Sequence, residues 1–452
     1  MSILKKLTTV VGAAVLAKLP SSKRQYVVRL NNAATTPPFV QTLRKVNEFL
    51  KTYGALHRGA GPCASITYKK IAEATLLIRR FFGVSETHTL LFSSNTSAAI
   101  NLLVRLLHLT RREVVLLSSI EHTSNHLPWL LSCRAKTVYI NSFPDGGFDY
   151  DDFQRKLKRY RSRVRWVSIT GASNLTGYIP DIENIATLTH RAGAFLFVDA
   201  AQLAPHRPID MKRLGIDALA FSAHKIYAPF GLGVLALPQK LLKQTPVDPG
   251  GGSIDMLGQD LHSIVWAPPE VRHQTGTWNT TGIIALAASC EQIKKVGWNT
   301  LVRHECELRD RLVTKLAHVP GVTLYITPEQ YKREERIGAV AFNLAGYHHA
   351  LLSAILEHEY GIETRAGTIC NHRLVRRWFG TSDAKQKSIE RRIAKGNRLA
   401  SYGIVRVSLG AYNTKHDVDT FVHALLTIQK HGPKLKYKPV PTEETFESLG
   451  YR

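Results

Sequence analysis

The chain lacks several features that would place it in a specialised class of protein. No apolar run approaches the roughly 20 residues that a membrane-spanning helix needs. Its five cysteines are widely spaced and form no Cys-x-x-Cys pair, which argues against a disulfide framework and a structural zinc site. No nucleic-acid-binding motif accompanies the net charge of +25. We therefore expect a globular protein of a reducing compartment, with no metal, membrane or nucleic-acid partner, whose basic charge is a general surface property.

Acidic residues are also missing from the start of the chain, where the first is Glu48. The apolar run over residues 7–19 is typical of a weak secretory signal, of an organellar transit peptide, or of a short amphipathic helix packed on the body. We treat residues 1–26 as a separate lead-in or targeting segment. A cytoplasmic location is the main expectation, and an organellar one, such as mitochondrial, is the alternative.

Apolar runs alternate with amphipathic stretches through the first two-thirds of the chain. This alternation predicts an α/β fold with a mostly parallel sheet. A large domain over 27–296, a small α+β domain over 297–430 and an extended tail over 431–452 are expected, because the tail is polar and punctuated by proline. The predicted strands cover residues 89–93, 113–118, 136–140, 166–170, 195–199, 218–222, 233–237, 339–344 and 404–409, and the clearest helices 97–107, 182–192 and 300–317.

Two polar residues at the ends of consecutive strands indicate a cofactor. Asp199 ends one buried strand, and Lys225 follows the next. The carboxyl ends of parallel strands share the sheet edge where open α/β folds bind ligands. A carboxylate there keeps a pyridine nitrogen protonated, while a buried lysine is costly unless it is neutralised or covalently used. Taken alone, Asp199 is better explained as a helix N-cap. Together the two residues predict pyridoxal phosphate bound to Lys225 as a Schiff base.

A third strand end, in the sequence FSSNTSAAIN at residues 92–101, has the features of a phosphate site. Small hydroxyl residues precede an apolar helix, so free backbone N–H groups and the positive end of the helix dipole face a ligand. Taken alone, this pattern is an ordinary helix cap. We expect the glycine-rich run PFGLG at residues 229–233 to let the backbone pass close to the cofactor.

These motifs resemble the class V aminotransferase fold (PLP fold type I), and within it the cysteine desulfurase/selenocysteine lyase branch. The resemblance implies an aspartate-aminotransferase-like α/β fold, with a mostly parallel seven-stranded sheet and a smaller α+β C-terminal domain. It also implies pyridoxal 5'-phosphate as cofactor and an amino acid as substrate. The matching stretches are LNNAAT at 30–35, HRG at 57–59, EHTSNHLPW at 121–129, ASNLTG at 172–177, VDAAQ at 198–202, SAHK at 222–225, GGG at 250–252, GT at 276–277 and RVSLGAYN at 406–413.

The resemblance also implies a role for each matching residue. Lys225 would carry the cofactor and move protons, Asp199 would pair with the ring nitrogen, and His122 would stack on the ring. Gln202 would approach the ring hydroxyl, and Asn174 would contact both cofactor and substrate. The phosphate would be held by Thr96, Ser97, Ser222 and His224, and by Gly276 and Thr277 of a partner subunit, which implies a homodimer. Substrate would be bound by Asn174, Arg365 and Arg406.

The reaction depends on Cys370. In the desulfurase branch, a cysteine on a loop at this position attacks the sulfur of cofactor-bound cysteine, leaving alanine and a persulfide on the enzyme. A thiolate is the required nucleophile, and Arg365 and His372 are the cations expected to favour it. The other cysteines are interpreted as buried spacer residues: Cys63, Cys133, Cys290 and Cys306.

Two departures from the branch keep another reaction open. A carboxylate of its phosphate loop is replaced by Gln274, and a basic segment over 373–398 follows Cys370. That segment is expected to be a solvated helical insertion near the site, to cover a different substrate, or to dock an acidic sulfur-acceptor protein. The alternative function is a C–S β-lyase acting on a substituted cysteine, an epimerase or an aminotransferase. Each of these would use Lys225 and Arg406 without Cys370.

Overall fold

The computed structural model describes residues 8–19, 24–56, 59–260 and 263–451. His57 and Arg58 of the HRG motif, and residues 1–7 and 20–23 of the lead-in segment, lie outside this range. The described part of that segment forms turns and two short strands that pair antiparallel with each other, and no amphipathic helix, which was one of the alternatives. The first elements are β1 (Leu16–Lys18), β2 (Arg24–Tyr26), β3 (Val28–Arg29), α1 (Val40–Leu50) and α2 (Pro62–Phe81).

A seven-stranded sheet forms the centre of the protein, as predicted. Its strands are β4 (His88–Ser93), β5 (Val114–Ser118), β6 (Lys136–Ile140), β7 (Val164–Thr170), β8 (Phe195–Asp199), β9 (Ala218–Ser222) and β10 (Gly233–Pro238). Their order across the sheet is β4-β10-β9-β8-β7-β5-β6. Strand β10 runs antiparallel to both its neighbours, and the remaining pairs are parallel.

Both faces of this sheet are buried, which explains why its strands appear as continuous apolar runs. In β5, Val114 and Leu116 belong to one hydrophobic cluster, while Val115 and Leu117 belong to the cluster on the other face. Fully burying such a side chain contributes about 1.5–3 kcal/mol. The helices and the hairpin of this part are α3 (Thr96–Leu106), α4 (Leu127–Leu131), α5 (Tyr150–Tyr160), α6 (Ile182–Arg191), α7 (Met211–Leu214), β11 (Ile254–Leu257), β12 (Ile264–Trp266), α8 (Pro269–Arg272) and α9 (Thr280–Val296).

A smaller α+β unit follows. Its elements are α10 (Trp298–Ala317), β13 (Val322–Leu324), α11 (Pro328–Arg333), β14 (Ala339–Leu344), α12 (His349–Tyr360), β15 (Ile362–Glu363), β16 (Arg365–Gly367), α13 (His372–Trp378), α14 (Asp383–Ala394), β17 (Ile404–Ser408) and α15 (Lys415–His431). Four of the strands form an antiparallel sheet of order β13-β14-β17-β16. The core of this unit includes Leu312, Phe342 and Phe421, all almost fully buried. No helix in the described ranges is both long and apolar enough to cross a membrane.

The end of the chain corrects the prediction of an extended tail. Strands β18 (Leu435–Val440) and β19 (Thr445–Tyr451) pair antiparallel as a hairpin. The buried carboxylate of Glu359 accepts hydrogen bonds from the backbone N–H groups of Lys434 and Leu435, each at 3.0 Å, and from the Tyr437 hydroxyl at 3.1 Å. These bonds anchor the hairpin to α12, a long-range contact that local polarity and proline content do not reveal.

Candidate active site

A cavity of about 320 Å³ lies at the carboxyl edge of the central sheet. Strand ends and the turns that follow them supply most of its walls, as expected for an open α/β fold. Nine of the residues predicted to bind the cofactor line it. They are Thr96, Ser97, His122, Asn174, Asp199, Gln202, Ser222, His224 and Lys225.

Asp199 and Lys225 come together at the ends of β8 and β9. Burial raises the pKa of Asp199, and the neighbouring Lys225 and a hydrogen bond from the Ala201 N–H at 3.0 Å oppose this rise. Burial lowers the pKa of Lys225, and the charge of Arg406 lowers it further. A lowered pKa favours the neutral amine, which is the form that attacks a carbonyl carbon.

The predicted phosphate residues meet at the N-terminus of α3. Asn95 caps this helix by accepting a hydrogen bond from the Ala98 N–H at 3.0 Å. The Thr96 N–H donates to the Ser222 hydroxyl oxygen at 2.7 Å, and the two hydroxyl groups lie 2.6 Å apart. Backbone N–H groups and hydroxyls at a helix N-terminus are a suitable site for a phosphate.

Gly233 has a different function from the one expected for the glycine-rich run. A Cβ atom at this position would collide with the backbone carbonyl of Asn95 and the hydroxyl of Ser93. A glycine is therefore required where β10 passes the turn that holds the N-terminus of α3. Gly233 supports the phosphate-binding turn from behind.

His122 and His224 both lie in the cavity as neutral rings at physiological pH. Burial and the charge of Lys225 lower the pKa of each ring to about 4. Nδ1 of His122 accepts a hydrogen bond from the Ser124 N–H at 3.1 Å. The proton of the neutral His122 ring therefore resides on Nε2.

Two residues beside His122 were missed by the sequence analysis. Ser124 lines the cavity, and its hydroxyl lies 2.6 Å from that of Ser97. Glu121 is buried and accepts hydrogen bonds from Asn125 at 2.5 Å and from the Thr170 N–H at 2.7 Å. Both residues belong to the EHTSNHLPW motif. The acidic residue directly before His122 in this apolar region of the sequence was the signal that could have indicated Glu121.

Arg406 is buried on β17, with only 2% of its surface exposed. It donates hydrogen bonds to the Asn174 carbonyl at 2.9 Å and to Asn31 Oδ1 at 3.0 Å. Its Nε atom finds no hydrogen-bond partner in the part of the chain that the structure describes. Burial and the charge of Arg365 lower the pKa of Arg406 to about 9.

Arg365 lies directly opposite Arg406 across the β16–β17 pair. Side chains at opposed positions of an antiparallel pair share one face, where like charges repel. Two guanidinium groups on one face, one of them buried with a free N–H group, form a site for an anion such as a carboxylate.

Cys370 lies on the loop between β16 and α13 and is partly exposed. Its carbonyl accepts a hydrogen bond from the Thr123 N–H at 3.0 Å. On either side, the Asn174 amide donates to the Ile369 carbonyl at 2.8 Å and the Asn371 amide to the Ile120 carbonyl at 2.9 Å. The loop is thereby fixed against the wall of the cavity. Asn174 also links this loop to Arg406, because its carbonyl accepts the hydrogen bond from the Arg406 guanidinium.

The remaining predicted residues lie away from the cavity. Gly276 and Thr277 are exposed, and Gln274 accepts a hydrogen bond from the Phe92 N–H at 2.7 Å. Of the cysteines expected to be buried, only Cys290 is, while Cys133 and Cys306 are partly buried. Cys63 is exposed, since it lies on the solvent side of α2. No group of three or more possible metal ligands occurs among the described residues.

The residues of the cavity fit pyridoxal phosphate. Gln202 donates to the Ala33 carbonyl at 2.7 Å, but its buried Oε1 has no hydrogen-bond partner within the described ranges. Such an atom needs a donor from a ligand, because an unsatisfied buried acceptor is costly. A ring hydroxyl can provide this donor, while the α3 N-terminus suits the phosphate and Lys225 the aldehyde.

Comparison with known proteins identifies the family. The model of the aminotransferase class-V family matches residues 28–421. The chain belongs to the class-V aminotransferase family. Membership implies a pyridoxal-phosphate cofactor and accounts for the central sheet and the cavity.

Several relatives resemble the chain over most of its length. A probable cysteine desulfurase of Halalkalibacterium halodurans is 29% identical over 88% of this chain and 92% of its own length. A cysteine desulfurase of Escherichia coli is 29% identical over 89% of this chain and 93% of its own. The apo structure of a cysteine desulfurase from Thermococcus onnurineus superposes with a TM-score of 0.77 at 27% identity, covering 89% of this chain and 95% of that one.

Proposed function

We propose that this chain is a cysteine desulfurase or selenocysteine lyase, which takes sulfur or selenium from L-cysteine or selenocysteine and leaves L-alanine. The observation that carries the proposal is the position of Cys370 on a loop held by Thr123 and by Asn174, whose carbonyl also binds Arg406. Relatives that are named cysteine desulfurases and match about nine-tenths of the chain support it.

Pyridoxal phosphate would be held by Lys225 at its aldehyde, by Asp199 at its ring nitrogen and by the α3 N-terminus at its phosphate. When bound, it withdraws electrons from the amino acid and weakens the Cβ–sulfur bond. Asp199 is suited to its task because it is buried, and a carboxylate next to a ring nitrogen favours the protonated form of that nitrogen.

Substrate binding and proton movement fall to residues around this cofactor. Arg406, with its free Nε–H group, would bind the substrate carboxylate, with Arg365 on the same face of β16–β17. Lys225 Nζ, whose pKa is lowered by burial, would accept the α proton. His122 presents Nε2–H to the cavity and would stack on the cofactor ring as a neutral group.

Cys370 would perform the step that distinguishes a desulfurase. Its sulfur, as the thiolate, forms a bond to the substrate sulfur while the substrate Cβ–S bond breaks. The electron pair stays with the carbon skeleton, which takes up a proton on the way to alanine. In sum, cysteine and the Cys370 thiol give alanine and a Cys370 persulfide, which passes its outer sulfur to an acceptor thiol.

The test compares Cys370→Ser with Cys63→Ser, because Cys63 is exposed and lies outside the cavity. Alanine and sulfide released from L-cysteine are measured with dithiothreitol as acceptor. We expect Cys370→Ser to lose at least about 10²-fold in rate, as when a covalent nucleophile is removed, and Cys63→Ser to retain the wild-type rate. Full activity in Cys370→Ser would contradict the proposed role of Cys370, whereas release of sulfide with pyruvate in place of alanine would favour a C–S β-lyase.

We also propose a homodimer in which Gly276 and Thr277 reach the phosphate of the partner subunit. Both residues are exposed and neither lines the cavity of its own chain. Sedimentation should give a dimer, and Thr277→Ala should weaken cofactor binding. A monomer that binds the cofactor with unchanged affinity in Thr277→Ala would contradict this arrangement.

A further inference from the structure

A groove of about 800 Å³ lies beside the Cys370 loop. One wall comes from α13 and the turn that follows it, and the other from the turns after β5 and β6. Three arginines line it against a single acidic residue, Asp149. The carboxylate of Asp149 already caps α5 by accepting a hydrogen bond from the Asp152 N–H at 2.8 Å. The groove is therefore strongly positive.

The groove and the Cys370 loop share one wall. The turn after β5 binds the loop through the Ile120 carbonyl, which accepts from Asn371, and through the Thr123 N–H, which donates to the Cys370 carbonyl. Ser119 of the same turn lines the groove. A molecule bound in the groove would therefore lie next to the loop that carries the reactive thiol.

The arginines are oriented by contacts with the groove walls. The guanidinium of Arg373 lies 4.0 Å from the centroid of the Tyr139 ring. Arg377 donates to the Ser142 carbonyl at 2.6 Å. Arg376 bonds to Asp383, whose side chain is 91% exposed and is therefore easily replaced by another carboxylate. Oriented guanidinium groups bind carboxylates in pairs of parallel hydrogen bonds with little further loss of side-chain entropy.

The surroundings of the groove favour a protein partner. Phe143, which is 52% exposed, adds an apolar surface to the lining. Beyond the groove, the segment 373–398 carries nine basic residues against Asp383 and Glu390, so its field attracts an acidic surface over a longer range. The basic residues are Arg373, Arg376, Arg377, Lys385, Lys387, Arg391, Arg392, Lys395 and Arg398.

We propose that this groove docks an acidic segment of the protein that accepts sulfur from Cys370. The proposal rests on the proposed function, because only a persulfide on Cys370 requires a thiol to be delivered beside this loop. Carboxylates match the forked guanidinium groups, and an acceptor cysteine next to them would face the loop. The sequence of the acceptor is thus predicted to place acidic residues beside its reactive cysteine.

The first test measures binding to the holoenzyme and needs no turnover. The probe is a short fluorescent peptide with one cysteine flanked by glutamates, compared with the same peptide carrying glutamines. We expect the acidic peptide to bind more tightly, with affinity that falls as salt rises. In Arg373→Gln/Arg376→Gln, its affinity should fall about tenfold, the effect of removing close charge pairs. The matched control, Lys385→Gln/Lys387→Gln, removes the same charge outside the groove and should change the affinity less than twofold.

An equal loss of affinity for the acidic peptide in both double variants would overturn the proposal. It would show that the peptide is attracted by the overall positive charge and not by the groove. Tighter binding of an RNA duplex that is lost in Arg373→Gln/Arg376→Gln alone would overturn it in favour of a nucleic-acid site.

The second test measures sulfur transfer from the Cys370 persulfide to the peptide, divided by transfer to dithiothreitol. This ratio should fall about tenfold in the groove variant and stay constant in the control. A failure of the proposed function removes transfer to both acceptors, whereas a wrong docking site leaves the ratio unchanged.

Discussion

The two sides of the cavity are built in different ways. Asp199 and Lys225 follow buried strands of the central sheet, so the backbone ladder of that sheet fixes their positions. Cys370 instead lies on a loop of the smaller unit, held to the cavity wall by individual hydrogen bonds. In the proposed function, the rigid side would determine which cofactor binds, and the loop would determine which reaction follows. A family can therefore keep its cofactor site and change its chemistry by altering one loop.

The largest effect is expected on the rigid side. Lys225→Ala should lower the rate of every reaction of the cofactor by about 10⁴-fold or more, because it removes both the covalent anchor and the proton acceptor. It should also abolish the absorbance of protein-bound cofactor after dialysis. Lys387→Ala, on the exposed face of α14, is the control. Retention of bound cofactor and rate in Lys225→Ala would contradict the assignment.

A smaller effect is expected at Arg406, which joins the two sides. Arg406→Lys keeps the charge but loses the planar fork that bonds to Asn174 and Asn31. We expect KM for L-cysteine to rise about 10–100-fold and the absorbance of bound cofactor to persist. Steady-state kinetics over a range of substrate concentrations measure this. A change in kcat with unchanged KM would argue against a role in carboxylate binding.

Asn174 tests how the loop is held. Asn174→Ala removes the hydrogen bond to the Ile369 carbonyl, which is worth about 0.5–1.5 kcal/mol. The rate of sulfur transfer to Cys370 should fall by up to about tenfold, and the affinity for the cofactor should change by less. Single-turnover persulfide formation provides the rate, and Asn184→Ala, on the exposed side of α6, is the control. An unchanged transfer rate would show that the loop needs no such support.

The last prediction concerns the pH dependence of stability, through Glu121 behind the cavity. Burial raises its pKa to about 8, so the folded state holds the proton more tightly than the unfolded state. The stability that this proton contributes is complete below about pH 4.5 and is lost as pH rises through about 8. In urea denaturation, the free energy of unfolding should fall as pH rises, by no more than about 1.4 kcal/mol for each pH unit. Glu121→Gln should reduce this slope. An identical slope in both proteins would contradict a raised pKa of Glu121.

Much of the fold and of the rigid side could be predicted from the sequence. Strands β6, β8, β9 and β14 begin and end at the predicted residues, because apolar runs bounded by polar residues mark buried strands clearly. Asp199 and Lys225 were recognisable for the same reason, since parallel strands bring their ends to one edge.

The Cys370 loop could not be predicted in the same way. Ile369 and Cys370 adopt left-handed φ angles of 49° and 57°. Non-glycine residues rarely take this conformation, and β-branched ones least of all, so nothing local indicates it. The loop owes its shape to distant partners such as Asn174 and Thr123. Likewise, the C-terminal hairpin depends on Glu359, which lies 75 residues before its first contact, Lys434.

The most direct test of the central claim is to locate sulfur on the protein after a single exposure to L-cysteine. Mass spectrometry of alkylated peptides should find one extra sulfur atom on the peptide that contains Cys370. The peptides of Cys63, Cys133, Cys290 and Cys306 should remain unmodified, and alanine should form in equal amount to the added sulfur. Formation of alanine with no added sulfur on Cys370 would contradict the claim.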